Sequence, residues 1–169
     1  LTAVKGLFTY LEAERICPNV ANGIRGAKHQ RGFRKDALTV DQTRKVLGTI
    51  DRSDLEGMRN YALVNLLVRT GLRTVEAQRA NAEDIRQEGG EALLYIQGKG
   101  RDSKDAFVIL TESTLGPIRE YLRARGRVPQ DSPLFASLSD KNNGERLTTR
   151  SISRIMKTAL LDAGIDSDR

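Results

Sequence analysis

One change of rhythm constrains this chain more than any other feature. Apolar residues recur at helical spacing through about residue 80, two five-residue apolar runs follow, and helical spacing then returns. Leu1, Val4, Leu7, Phe8 and Leu11 predict an amphipathic helix over about 1–16, ended by Pro18 and Asn19. Thr39-Val40-Asp41-Gln42 is a capping-box pattern, and Val46, Leu47 and Ile50 share a face of the helix it starts. A second helix over about 54–70 turns Leu55, Met58, Ala62, Leu66 and Leu67 towards the core. Gly71 stops it, because glycine reaches the left-handed conformation at little cost. A short helix follows over about 74–80. Ala92-Leu93-Leu94-Tyr95-Ile96 and Ala106-Phe107-Val108-Ile109-Leu110 read as strands around a turn-forming stretch, Gly98 to Lys104, so they predict a hairpin. Helices over about 114–125, with Pro117 in the first turn, and over about 149–163, capped by Gly164, complete the pattern. Pro133-Leu134-Phe135 is a short apolar segment in a loop between them. The fold class is α+β, mostly α, with one small antiparallel hairpin or sheet.

Composition narrows the function classes. No stretch approaches the roughly 18 apolar residues a membrane span needs, which argues against an integral membrane protein and a membrane partner. The single cysteine, Cys17, excludes a disulfide framework within the chain and suits a reducing cytoplasm. The single histidine, His29, excludes a site that draws two histidines from this chain. The 28 Lys+Arg against 22 Asp+Glu leave a net charge of +6, and its placement carries more information than its size. Residues 1–50 hold nine basic and four acidic side chains, whereas residues 51–169 are almost balanced. Arg25, Lys28, Arg31, Arg34 and Lys35 form an acid-free run in a Gly-rich linker. That run is either a solvated linker or a strap that tracks the phosphates of a polyanion, releasing condensed counterions as it binds.

Two local patterns bear chemistry. In Thr70-Gly71-Leu72-Arg73-Thr74-Val75-Glu76 a glycine turn leaves Arg73 at the start of a short helix. There its guanidinium adds to the positive N-terminal end of that helix, which suits an anion such as phosphate. Glu76, three residues on, is placed to hold Arg73 in one rotamer. Spacing alone leaves a plainer alternative open, a surface arginine beside a helical corner. In Gly98-Lys99-Gly100 the glycines allow close approach of a partner, and Lys99 is placed to touch a phosphate or protonate a leaving oxygen. An exposed turn lysine meets the same pattern, and Lys104 across the turn is a weaker rival for either role.

With these residues in place, the chain resembles the tyrosine recombinases, the phage-integrase family of site-specific DNA recombinases. Ala37-Leu38-Thr39-Val40-Asp41-Gln42 resembles the start of the family's catalytic domain. Leu66 to Asp84, with Thr70-Gly71-Leu72-Arg73, Glu76 and Glu83-Asp84-Ile85, resembles its first arginine box. Ile96-Gln97-Gly98-Lys99-Gly100 resembles the hairpin with the family's lysine, and Leu147-Thr148-Thr149-Arg150-Ser151 the segment just before its second box. Each motif is common by itself, and it is the four in order that are specific. On this resemblance residues 1–24 are the last helix of a core-binding, SAM-like DNA-binding domain, 25–37 a basic linker and 38–169 the N-terminal part of the catalytic domain.

The resemblance implies an activity. A tyrosine oxygen attacks a DNA phosphate, leaving a 3′-phosphotyrosine link and a free 5′-hydroxyl, and rejoining needs no ATP because the bond energy is kept. Arg73 is then the first of two arginines that stabilise the charged phosphoryl oxygens, Glu76 its support and Lys99 the general acid. Arg25, Lys28, Arg31, Arg34, Lys35 and Lys104 are expected DNA contacts. No metal or other cofactor is implied. The expected parent assembles as a tetramer on two DNA sites to integrate or excise a mobile element.

The family's second box, His-x-x-Arg, is not found, since His29 precedes Gln30, Arg31 and Gly32. Tyr10, Tyr61, Tyr95 and Tyr121 all lie before the place of the nucleophile and read as packing or surface residues. Leu1 also opens straight into a helical pattern, and Asp166-Ser167-Asp168-Arg169 looks like a helix start. The chain is therefore expected to be a recombinase fragment that binds DNA but does not cleave it. The alternative is a non-catalytic helix-turn-helix DNA-binding regulator, with 54–70 and 74–80 as its helices and Arg73, Thr74 or Gln78 reading bases. A general interaction module with a basic tail is the remaining reading.

Overall fold

A computed structural model describes residues 1–26, 37–98, 100–127 and 129–165. The chain divides into two compact units, Leu1–Asp36 and Ala37–Arg169. In the first, α1 spans Thr2–Ala13 and buries none of its residues. It ends three residues before the expected position. The chain turns at Arg15, whose φ is +57°, and Glu12 accepts the Asn19 N–H at 3.2 Å. Leu1, Val4, Leu7 and Tyr10 are exposed.

The second unit is built around one helix. α2 spans Val40–Gly48, and its capping box is complete: Thr39 accepts from the Gln42 N–H and Gln42 from the Thr39 N–H. α3 spans Leu55–Thr70, with Asp54 as its N-cap. Six consecutive residues, Ala62 to Leu67, are buried, so this middle stretch of α3 is covered on all sides. Successive side chains point about 100° apart, and α3 therefore serves two cores. Leu63, Leu66 and Leu67 pack with Leu94, Leu110, Leu115, Ile118 and Leu134. Val64 packs with Val46, Leu47, Ala159 and Ala163. The second set joins α2 to α6, which spans Thr149–Asp162. Gly164 follows α6 with a φ of +66°.

α4 spans Thr74–Arg79, and a 3-10 turn over Ala82–Asp84 leads into the sheet. The sheet has three antiparallel strands in the order β1-β2-β3: β1 Ile85–Glu88, β2 Glu91–Ile96 and β3 Ala106–Leu110. The expected hairpin is present as β2 and β3, with Leu94 opposite Val108. β1 is an addition to it. Its Arg86, Gln87 and Glu88 are exposed, so it carries no apolar alternation by which to be read. Ala92, Leu94, Ile96 and Leu110 face the core from the other two strands.

α5 spans Glu112–Arg125, two residues earlier than expected, so Pro117 lies in the second turn rather than the first. A proline there cannot donate to the carbonyl four residues back, which is Ser113. Asn65 supplies the missing donor: its Nδ2 lies 2.8 Å from the Ser113 carbonyl, and its side chain is fully buried in α3. This bond stitches α3 to the kink-prone part of α5. The segment Leu134-Phe135-Ala136 is buried, and the Ala136 N–H donates to the hydroxyl of the fully buried Tyr121. No described helix is long and apolar enough to cross a membrane.

Candidate functional site

Thr70, Gly71, Leu72 and Arg73 form the corner between α3 and α4. Gly71 has a φ of +67° and bonds back to the Leu67 carbonyl at 3.0 Å, ending α3 in the left-handed conformation that glycine tolerates best. The chain then reverses and Arg73 becomes the N-cap of α4.

Glu76 holds Arg73 twice. Its Oε2 accepts the Arg73 backbone N–H at 2.8 Å, and its Oε1 accepts from Nη1 at 3.1 Å. The Glu76 side chain is 6% exposed and that of Arg73 is 72% exposed. The geometry is therefore a buried carboxylate fixing one edge of a guanidinium whose remaining surface faces solvent. A charge held in one rotamer loses little entropy when an anion arrives, which is the requirement for preorganised stabilisation of a phosphoryl group.

Arg73 and Glu76 line an open cleft of about 390 Å³. Its opposite wall is the β2–β3 connection, through Gly98, Arg101, Asp105 and Ala106. The two sequence patterns, 25 residues apart, thus meet across one cleft. Lys99 lies outside the described residues, between Gly98 and a Gly100 whose φ is +76°. Arg101 is ion-paired with Asp105. Lys104 Nζ lies 2.5 Å from Asp84 Oδ2, so this cation is already bonded to a buried carboxylate. Arg25 is exposed, while Lys28, His29, Arg31, Arg34, Lys35 and residues 166–169 lie outside the described residues.

A larger groove, about 1090 Å³, lies between the start of α3 and α6. Its walls carry Asp51, Asp54 and Glu145 together with Arg59, Arg146 and Arg154, so no single charge sign dominates. Leu147, Thr148 and Ser151 of the segment that resembles the approach to the second box line it, but none of the candidate catalytic or DNA-contacting residues does. Arg59 is buried against the Ala136 carbonyl and Glu56, and Arg146 donates to the carbonyls of Gln78 and Ala80. Among the described residues no cluster of three or more His, Cys, Asp or Glu is placed to hold a metal ion.

No tyrosine lines the Arg73 cleft. Tyr10 is exposed on α1, and Tyr61 lies under the Arg52 guanidinium at 4.5 Å. Tyr121 is committed to Ala136. Tyr95 donates to both Glu88 carboxylate oxygens at 3.0 and 3.1 Å, and that bond raises its phenol above the ordinary tyrosine value. As for base reading by α4, that helix has only six residues, and Glu76 and Ala77 on it are buried.

The mostly helical body with its small three-stranded antiparallel sheet is the architecture of a known class of protein. The phage integrase family model matches residues 36–169, and the chain belongs to that family. Tyrosine recombinase XerC of Pseudomonas entomophila is 32% identical over 161 residues, covering 94% of this chain and 50% of the relative. Tyrosine recombinase XerA of Pyrococcus furiosus is 31% identical over 162 residues, covering 96% and 53%. The crystal structure of the XerH site-specific recombinase, bound to palindromic difH substrate in a post-cleavage complex, shares the fold. It has a TM-score of 0.73 at 24% identity, over 99% of this chain and 50% of that one. The chain spans about half the length of the curated relatives it matches.

Proposed function

We propose that residues 38–169 are the phosphate-gripping part of a DNA-cleaving recombinase domain. Its substrate is double-stranded DNA. The observation that carries this reading is the exposed Arg73, locked by buried Glu76 and sharing one cleft with Gly98 and Arg101, which bracket Lys99 in sequence. Arg73 donates to the non-bridging oxygens of the scissile phosphate as charge grows on them. A tyrosine other than the four of this chain gives up its phenolic proton to solvent as its oxygen bonds phosphorus, and the bond to the 5′ oxygen breaks. The Lys99 ammonium gives that oxygen a proton, leaving a 3′-phosphotyrosine and a 5′-hydroxyl. The basic run at Arg25, Lys28, Arg31, Arg34 and Lys35 links residues 1–24, read as the end of a core-binding domain, and tracks the duplex backbone. The parent acts as a tetramer on two DNA sites, in integration or excision of a mobile element. Membership in a family that includes XerC and XerA, and the substrate-bound state of XerH, support this reading.

The test is binding and covalent capture by the 169-residue chain. We expect weak duplex binding with little sequence preference, its logarithm falling with the logarithm of salt by about 0.9 per neutralised phosphate. We also expect no SDS-stable adduct on a nicked suicide duplex. Binding that ignores salt, or an adduct on any of the four tyrosines, contradicts the reading. Tight sequence-specific binding as a dimer would favour a regulator instead.

A further inference from the structure

The β2–β3 connection is tied at both ends to the segment that starts at Arg73. Before the turn, Arg79, the last residue of α4, directs Nη1 at the Gly98 carbonyl at 3.4 Å. After the turn, Lys104 Nζ bonds Asp84 Oδ2 at 2.5 Å. Asp84 is 2% exposed, and the same oxygen accepts the Asn81 N–H at 2.6 Å. Inside the turn, Gln97 Nε2 donates to the Arg101 carbonyl at 2.7 Å and the Arg101 N–H to the Gly98 carbonyl at 3.2 Å.

A buried carboxylate is costly to leave unpaired, and a charge-assisted bond is the strongest polar contact available to it. Asp84 needs only the Asn81 N–H to cap the start of its 3-10 turn, yet it draws a cation from 20 residues away. That cation sits five residues beyond Lys99. Lys104 is 27% exposed, so its ammonium is held against the protein rather than extended into solvent. Arg73, Arg79 and Asp84 lie on one continuous stretch, and so the position of the turn is referred to the same backbone that positions Arg73.

We propose that Asp84 and Lys104 form a latch, with Arg79 as a second tie, that positions the Lys99 turn against Arg73. Lys104 is a positioning residue and not a DNA contact. The role given to Lys99 rests on the reading above, but the latch itself does not.

The experiment uses the 15N-labelled 169-residue chain and the variants Asp84→Asn, Lys104→Met and Lys104→Arg. Heteronuclear NOEs of Gly98 and Gly100 report turn mobility, and Asp-N cleavage before Asp102 reports opening. Thermal unfolding serves as a check on the body. Asp84→Asn and Lys104→Met should each lower the Gly100 NOE and raise cleavage about fivefold or more, the change expected when a charge-assisted bond is lost. Lys104→Arg should stay near wild type. Unchanged turn mobility in Lys104→Met overturns the latch, and this comparison stands even where Asp84→Asn does not fold. Duplex DNA adds a second discriminator. For a latch, Asp84→Asn weakens binding as Lys104→Met does, and adding Lys99→Ala to either costs little more. For a direct phosphate contact, Asp84→Asn frees Lys104 and strengthens binding, which overturns the proposal. A chain that binds no duplex refutes the proposed function, while the NOE comparison still decides the latch.

Discussion

Replacing Asn65 with leucine tests how the body of this domain is held. Asn65 is fully buried, donates to the Ser113 carbonyl at 2.8 Å and accepts from Arg69 Nε at 2.7 Å. Leucine keeps the number and branching of the heavy atoms, so no cavity forms. Its bulkier methyl groups add an overpacking cost that is common to both arms of the cycle below and cancels there. Arg69 is exposed and turns to water, so its lost bond costs little. The Ser113 carbonyl has no such exchange inside its own helix, because Pro117 offers no N–H. Ser113 is itself exposed, so an acceptor left without this donor costs about 1 kcal/mol, the low end of the range for buried groups. For a chain of this size that is a fall in Tm of about 2–4 °C. The decisive measurement is a double-mutant cycle by urea unfolding. Pro117→Ala returns an N–H to the Ser113 carbonyl, so Asn65→Leu should cost about 1 kcal/mol less in the Pro117→Ala background than in wild type. Equal costs in the two backgrounds would refute the reasoning, since the stitch would then have nothing to do with the proline.

Two further outcomes are expected. A Cβ on Gly57 would lie 1.8 Å from the Asp51 carbonyl oxygen, so Gly57→Ala should destabilise by roughly 2–4 kcal/mol in urea unfolding, combining overpacking with a disturbed Asp54 cap. Tyr95 should ionise above the ordinary tyrosine range when its ring carbon shift is followed by NMR, and Glu88→Gln should bring it down. Because the folded value is the higher one, the stability it contributes is present below the unfolded tyrosine pKa of about 10 and is lost as pH rises through the folded value.

Much of the fold was legible because its signals are local. The Thr39 capping box, the Gly71 stop and the apolar runs of β2 and β3 each declare themselves within a few residues. β1 escapes such reading because only its neighbour, and no apolar face of its own, makes it a strand. Pro117, in the second turn of α5, escapes a local reading for a related reason. Its tolerance depends on an amide 52 residues upstream in α3, which no spacing rule inside α5 records. At the candidate site the Arg73–Glu76 pair follows from a three-residue spacing, and the structure adds only which partner is buried. Lys104 reads from its place in the turn as a candidate DNA contact, and its bond to Asp84 is not legible there because that partner lies 20 residues away in sequence. Long-range polar pairing is set by the packed backbone, and it was this layer that the chain's pattern did not disclose.

The central claim is that Arg73 grips the scissile phosphate while Lys99 protonates the leaving oxygen. It is tested most directly by covalent capture with a full-length family protein that carries this segment. A nicked duplex is incubated with wild type, Arg73→Ala and Lys99→Ala, and adducts are resolved under denaturing conditions beside a DNA-retention assay. The account predicts an SDS-stable adduct for wild type, loss of the adduct in both variants, and retention of most of the DNA affinity in Arg73→Ala. An adduct that persists undiminished in Arg73→Ala would contradict it.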